Sequence, residues 1–203
     1  MKKLYLASAS PRRKRLIKKI KGWKLFVLRN DHDENENKRL PPGRLAVHHA
    51  REKAQKAAPK VKSGTIVAAD TIVVCAGKIL GKPKNKKDAA RMLRVISNKV
   101  VRVITGIAVM RIDRGMHLPC RTGQETTLVK IKKLSKDEID AYVKTREPLD
   151  KAGAFAIQGR GAFLVERIKG DYDNVVGLPI KKLKSILEGQ AAACPYEKNA
   201  KNV

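Results

Sequence analysis

A short apolar run that passes almost at once into a capped, basic helix start constrains this chain most. Residues 3–7, Lys-Leu-Tyr-Leu-Ala, predict a strand. Ser8-Ala9-Ser10-Pro11-Arg12-Arg13 follows, and Leu16, Ile17 and Ile20 continue at the spacing of a helix over 11–21. Pro11 suits the first helical position, where its missing N–H has no partner to lose, and Ser10 is well typed as the N-cap before it. Arginines in a first helical turn oppose the helix dipole, and a bound anion would relieve that conflict. This turn therefore predicts either a capped surface helix or a phosphate site.

The alternation continues along the chain. A strand is expected over 24–29, a loop from Asn30 to Arg39, and a helix from Pro41-Pro42 to about Ala58. Thr65 to Ala69 reads as a buried strand closed by Asp70, with Thr71 to Cys75 extended beyond it and a turn at Ala76-Gly77 into 78–80. Helical spacing covers 86–96. Residues 100–112 and 123–132 are β-branched and alternate, which predicts two long strands joined by the Arg114–Arg121 loop. Ser135 and Glu138 form a capping-box pair ahead of a helix over 136–145. Short strands separated by glycines are expected over 153–170, a last helix from Pro179 to Leu187, and a frayed tail from Gly189 to Val203. This order indicates a mixed α/β sheet.

Composition narrows the chemistry. At 203 residues with 42% hydrophobic side chains, the chain holds one domain or two small lobes. There is no apolar run long enough for a membrane span and no signal-peptide pattern, so the expectation is a cytoplasmic protein with no membrane partner. Cys75, Cys120 and Cys194 are odd in number and have no ligand spacing, and His32, His48, His49 and His117 form no motif with them, which argues against zinc or Cys–His catalysis. A net charge of +27 predicts attraction to polyanions. The lysines are dispersed and few aromatics interleave with them, so nonspecific nucleic-acid binding is the most that charge alone implies.

Four further features carry candidate chemistry. Asp70 at the end of an apolar strand is costly unless paired, hydrogen-bonded or metal-bound, so it is either a capping turn residue or a metal ligand or general base. The acidic cluster Asp31, Asp33, Glu34 and Glu36 could supply a second carboxylate. Lys82 stands between Gly81 and Pro83, which restrict the backbone and aim the ammonium. Gln158, among the glycines of 153–161, offers a planar donor–acceptor amide able to read a uracil or thymine edge, or to hold a turn.

Taken together, Ser8 to Arg13, Arg51-Glu52-Lys53-Ala54, Ala69-Asp70-Thr71, Leu80-Gly81-Lys82-Pro83, Glu147 to Gly153, Ile157-Gln158-Gly159 and Gly170-Asp171-Tyr172 through Gly177-Leu178-Pro179 resemble the Maf family of nucleoside triphosphate pyrophosphatases. The resemblance runs from Leu4 to about Leu187. It implies an elongated, ITPase-like α/β fold, a mixed sheet flanked by helices with a nucleotide cleft, as one domain over 1–188 in two lobes. It also implies hydrolysis of a nucleoside triphosphate to the monophosphate and pyrophosphate with Mg²⁺ or Mn²⁺. Arg13 and Gln158 look like the branch that prefers dTTP and UTP. By resemblance, Asp70 activates water or holds metal, Asp33 is a second metal ligand, Ser8, Arg12, Arg13, Lys53 and Lys82 bind the triphosphate, and Gln158 reads the pyrimidine.

The chain departs from the family pattern in two places. Asp33 stands where the family often has a longer glutamate, and residues 97–100 read Ser-Asn-Lys-Val in place of a Ser-Gly-Arg turn. Two other readings stay open: a nucleic-acid-binding or regulatory protein on this scaffold, and a purine-analogue triphosphatase. The long apolar β region is compatible with a homodimer.

Overall fold

The computed structural model describes residues 1–29 and 40–189; the expected Asn30–Arg39 loop and the tail beyond Gly189 lie outside the described residues. The chain divides into two compact units. The first comprises Met1–Asp70, Gly106–Gln124 and the segment from Ile180, and the second Thr71–Thr105 and Glu125–Pro179.

In the first unit, β1 (Lys2–Ala7) leads into α1 (Pro11–Ile17), and β2 (Trp23–Leu28) and α2 (Pro42–Ala57) follow. β3 (Gly64–Cys75) begins here, and β1 pairs in parallel with both β2 and β3, Tyr5 lying opposite Phe26 on one side and Ile66 on the other. Parallel neighbours need crossover connections, which α1 and α2 supply. The unit also holds the later part of β5 (Val100–Asp113), the short β6 (Met116–His117) and the start of β7 (Arg121–Ile131). α6 (Ile180–Leu187) closes it. Its core is built from small residues: Ala50, Ala54 and Ala57 of α2 meet Ile66, Ala68, Ala108 and Met110 of the strands. Gly106 explains how closely α2 approaches β5. A Cβ there would lie 2.3 Å from the Ala46 carbonyl carbon.

The second unit contains the rest of β3, paired antiparallel with β4 (Lys78–Leu80), then α3 (Lys86–Ile96), α4 (Lys136–Lys144), β8 (Val165–Lys169) and α5 (Tyr172–Val176). Its core joins Val73 and Cys75 of β3 to Leu93 and Ile96 of α3, Ile139 and Tyr142 of α4, and Leu164. Strand order is β2-β1-β3-β5-β7-β8, with β4 on β3 and β6 on β5. This is the mixed α/β sheet flanked by helices that the alternation implied.

Caps and periodicity explain most boundaries. The Ser135–Glu138 capping box forms as expected, and Asn85 caps α3 by accepting from the Asp88 N–H at 2.9 Å. Helix α1 is shorter than the apolar spacing suggested. Its last turn tightens, Lys19 and Ile20 donating to Leu16 and Ile17 three residues back, and Gly22 at φ +81° turns the chain into β2.

Two expectations fail. β3 does not end at Asp70 but runs through it without a break. The 153–170 stretch is not a set of short strands. It forms 3₁₀ turns over Glu147–Asp150, Ala152–Ala154 and Gly159–Leu164 before β8. Gly153 (φ +67°), Ala154 (φ +59°) and Gly159 (φ +71°) are left-handed, which a strand cannot accommodate. Helix α5 was not expected either; Asp171 caps it by accepting from the Asp173 N–H at 2.7 Å.

Candidate active site

Among the described residues, five of the expected site residues belong to the first unit. Ser8 is buried and its Oγ accepts from the Ser10 N–H at 3.2 Å. The Ser10 Oγ accepts in turn from the Arg13 N–H at 3.4 Å, which fixes the start of α1. Two hydroxyls separated by one residue in sequence, Ser8 and Ser10 flanking Ala9, thus shape the turn that carries Arg12 and Arg13, both half-buried.

Lys53 is the surprise. On sequence alone it passes as a surface residue of α2, yet it is 8% exposed and its Nζ donates to Asp70 Oδ1 at 2.5 Å. Asp70 is 5% exposed, in the middle of β3. Burial by itself would raise the Asp70 pKa, but the Lys53 charge, the Arg13 guanidinium, the Lys53 hydrogen bond and His49 together outweigh it. The carboxyl is therefore held below its ordinary value and stays ionised. Buried carboxylates and ammonium groups are tolerated only when paired, which is why α2 must present Lys53 to β3.

His49 is buried next to Glu52, Nδ1 to Oε2 at 3.5 Å, and His48 Nε2 lies 3.5 Å from the same carboxylate. The adjacent histidines thus share an acidic neighbour one turn from Lys53. No sequence motif announced that arrangement.

Lys82 and Gln158 belong to the second unit. Pro83 is buried and Lys82 exposed, so the ring anchors the loop that carries this lysine. The Gly81 carbonyl accepts from the Gly153 N–H at 3.0 Å, tying this loop to the glycine-rich segment. Gly153 is required there: its left-handed backbone brings it so near Val73 that a Cβ would lie 2.9 Å from Cγ1. Gln158 is half-buried with extended φ and ψ and precedes the Gly159–Leu164 turn.

Glu147 organises that turn, a role the residue pattern did not reveal. Its carboxylate accepts from the Arg160 N–H (3.0 Å), the Gly161 N–H (3.1 Å) and the Tyr142 hydroxyl (3.2 Å). The same unit holds a buried hydroxyl–amide network. Asn174 Nδ2 donates to Thr127 Oγ1 (2.9 Å) and the Val103 carbonyl (3.0 Å), and Thr127 donates to the Asp171 carbonyl (3.0 Å). Thr105 donates to the Asn174 carbonyl at 3.2 Å, so its single proton is used and Thr71, 3.0 Å away, must donate to Thr105. The backbone after Asp70 is thereby tied to the Asp171–Asn174 segment.

For a divalent metal, Asp70 offers one hard oxygen donor. That fits a magnesium-like ion, which takes one or two protein carboxylates and completes its shell with water and substrate phosphate. Asp33, with Asp31, Glu34 and Glu36, lies outside the described residues. Among the described residues there is no cluster of three or more metal-binding side chains. Cys75 and Cys120 are buried thiols remote in type from such a site, and Cys194 lies outside the described residues. No helix among the described residues is long and apolar enough to cross a membrane.

The chain is 48% identical over 188 residues to a dTTP/UTP pyrophosphatase of Methanococcoides burtonii, covering 93% of this chain and 95% of that protein. It is 44% identical to one from Moorella thermoacetica (92% and 94% covered) and 43% identical to one from Pyrococcus furiosus (93% and 95%). A HAM1 protein from Coxiella burnetii shares the fold at 15% identity, with a TM-score of 0.51 over 93% of this chain and 99% of that one. The model of the Maf-like protein family matches residues 3–190, and the chain belongs to that family.

Proposed function

We propose that this protein is a nucleoside triphosphate pyrophosphatase that hydrolyses dTTP and UTP to the monophosphate and pyrophosphate. The observation that carries the reading is the 48% identity over 188 residues to a protein named for that activity. The geometry supports it: an ionised, buried Asp70 paired with Lys53, in the same unit as the Ser8–Arg13 turn.

In this reading Asp70 accepts a proton from the attacking water as oxygen adds to phosphorus and the bond to the pyrophosphate oxygen breaks. The two products are the monophosphate and pyrophosphate, and the proton is held on an Asp70 oxygen until solvent takes it. Lys53 holds the carboxylate in place and keeps it charged. Arg12 and Arg13 supply planar, bidentate donors and Lys82 a point charge for phosphate oxygens, since phosphoryl transfer is mostly positioning and charge neutralisation. Gln158 reads the pyrimidine through its amide. Asp70 and Asp33 would hold the Mg²⁺ or Mn²⁺ ion, which when bound spreads the charge of the transferring phosphate. A homodimer and a cytoplasmic location belong to the same reading.

The test is pyrophosphate release from a nucleotide panel with Mg²⁺ or Mn²⁺, beside Asp70→Asn. The expected result is turnover of dTTP and UTP above ITP and XTP, reduced about 10²–10⁴-fold in the variant. Preferential turnover of ITP or XTP would instead favour a purine-analogue triphosphatase. Wild-type-like turnover by Asp70→Asn would remove that residue from the mechanism.

A further inference from the structure

From Met1 to Arg29 every charged side chain is cationic. Arg12 and Arg13 belong to the phosphate turn described above. Lys2, Lys3, Lys18, Lys19, Lys21 and Lys24 do not, and all are exposed. The fold gathers part of this charge around one aromatic ring. Lys2 of β1 is the register partner of Trp23 at the start of β2, and its Nζ lies 5.8 Å from the indole centroid. Trp23 is half-buried and lines a pocket of about 260 Å³ together with Leu4, Ile20 and Leu25, with Lys18 and Lys21 also in its wall. The sequence pattern shows no aromatic interleaved among the lysines; the pairing of β1 with β2 sets Trp23 beside Lys2.

We propose that this surface binds single-stranded nucleic acid, with a base stacked against Trp23 and the adjoining phosphates held by Lys2, Lys18 and Lys21. The charge demands a polyanion. The indole with its apolar neighbours demands a flat, unpaired ring, which a duplex keeps inside its own stack. A bilayer fits less well. Membrane-surface helices present an apolar face, whereas Leu16, Ile17 and Ile20 of the basic segment are all buried. The site is separate from the residues assigned to hydrolysis, so it adds a binding function and does not restate the reaction.

Trp23 is the chain's one tryptophan, so its fluorescence reports on this site alone. The probe is a short oligodeoxyadenylate, chosen because its base is not the pyrimidine expected at Gln158. The expected result is saturable quenching that weakens as salt rises and that excess dTTP does not reverse. Measured by anisotropy of a labelled oligonucleotide, Lys18→Glu with Lys21→Glu should lose about tenfold or more in affinity while dTTP hydrolysis is unchanged. Trp23→Ala should lose about tenfold and Trp23→Phe less, because a ring remains. Unchanged hydrolysis in the charge-reversed variant also shows that it folds.

Four outcomes would overturn the proposal. Equal affinity for a duplex of the same length would leave only unspecific charge. Full affinity in the charge-reversed variant would move the contact elsewhere. Reversal by dTTP would place the oligonucleotide in the nucleotide site. Binding to vesicles of anionic phospholipid, with none to the oligonucleotide, would make the surface a membrane contact. None of these outcomes bears on the pyrophosphatase reading, which is judged by turnover.

Discussion

Lys53 Nζ lies 2.5 Å from Asp70 Oδ1, with 10% and 7% of the two side chains exposed. An ammonium on a helix and a carboxylate in mid-strand are thereby removed from water as a pair. Each makes the other's burial tolerable, and breaking such a pair by removing one partner costs about 3–5 kcal/mol.

The pH dependence of stability should report this pair, measured by thermal melts of the metal-free protein with chelator present. Asp70 is held below its ordinary pKa of 3.8. Its contribution is thus complete above that value and is lost as the pH falls through the folded pKa. Lys53→Met leaves burial with less opposition, so the Asp70 pKa rises and the sign reverses: the variant should lose stability as the pH rises above the ordinary carboxylate range. Adding Asp70→Asn to Lys53→Met should restore most of the neutral-pH stability, because no lone charge stays buried. Equal destabilisation at acid and neutral pH would mean that the pair is not buried in solution.

Glu147 should control the Gln158 segment without touching substrate. Glu147→Ala removes the acceptor for the Arg160 and Gly161 N–H groups. The expected result is a loss of about ten- to a hundredfold in kcat/KM for dTTP, the order that follows small displacements of positioning groups. Faster hydrogen exchange at the Gly161 amide should accompany it. Glu147→Gln, which keeps a carbonyl acceptor, should fall between. Unchanged exchange at Gly161 would show that the carboxylate does not hold the turn.

Asn174 is fully buried and its amide nitrogen serves two acceptors. Asn174→Ala should cost about 1–3 kcal/mol, since it strips the donor from both. Asn174→Asp should cost more, because a carboxylate would face the Val103 carbonyl. Denaturant unfolding measures both, and the opposite order would refute the donor assignment.

Gly106 tests the packing of α2 on β5. A Cβ at this position would fall 2.3–2.4 Å from backbone atoms of Ala46 and Val47, which cannot rotate away as a side chain would. Gly106→Ala should therefore cost about 3 kcal/mol or more by overpacking. Gly77→Ala, at a turn with open space around it, should cost only the strain of a left-handed residue, about 1 kcal/mol. Similar melting temperatures for the two variants would contradict the close approach.

Local signals accounted for much of this molecule. The Ser10 cap, the Pro11 start, the Lys86–Ile96 helix and the Ser135–Glu138 box are written in side chains a few residues apart, and the structure forms each of them. Asp70, Lys82 and Gln158 were also legible as candidates, because their neighbours restrict the backbone or remove water. What sequence spacing could not express is what meets across the fold. The burial of Lys53 depends on α2 lying over β3, and nothing in Arg51-Glu52-Lys53 encodes that. The Glu147 clamp joins groups 13 and 14 residues apart, and the Asn174 network reaches across 47 and 71.

The same reason explains the misread stretch over 153–170. Its short apolar runs between glycines suit strands, but left-handed backbone at Gly153, Ala154 and Gly159, packed against Val73 and Glu147, decides for turns. Propensity, capping and polarity act over one helical turn or two strand residues, so the sequence alone determined the elements and the residue types suited to phosphate chemistry. Burial and pairing of charge depend on which distant surfaces meet, so only the tertiary structure decided that Lys53 and Asp70 would share one site.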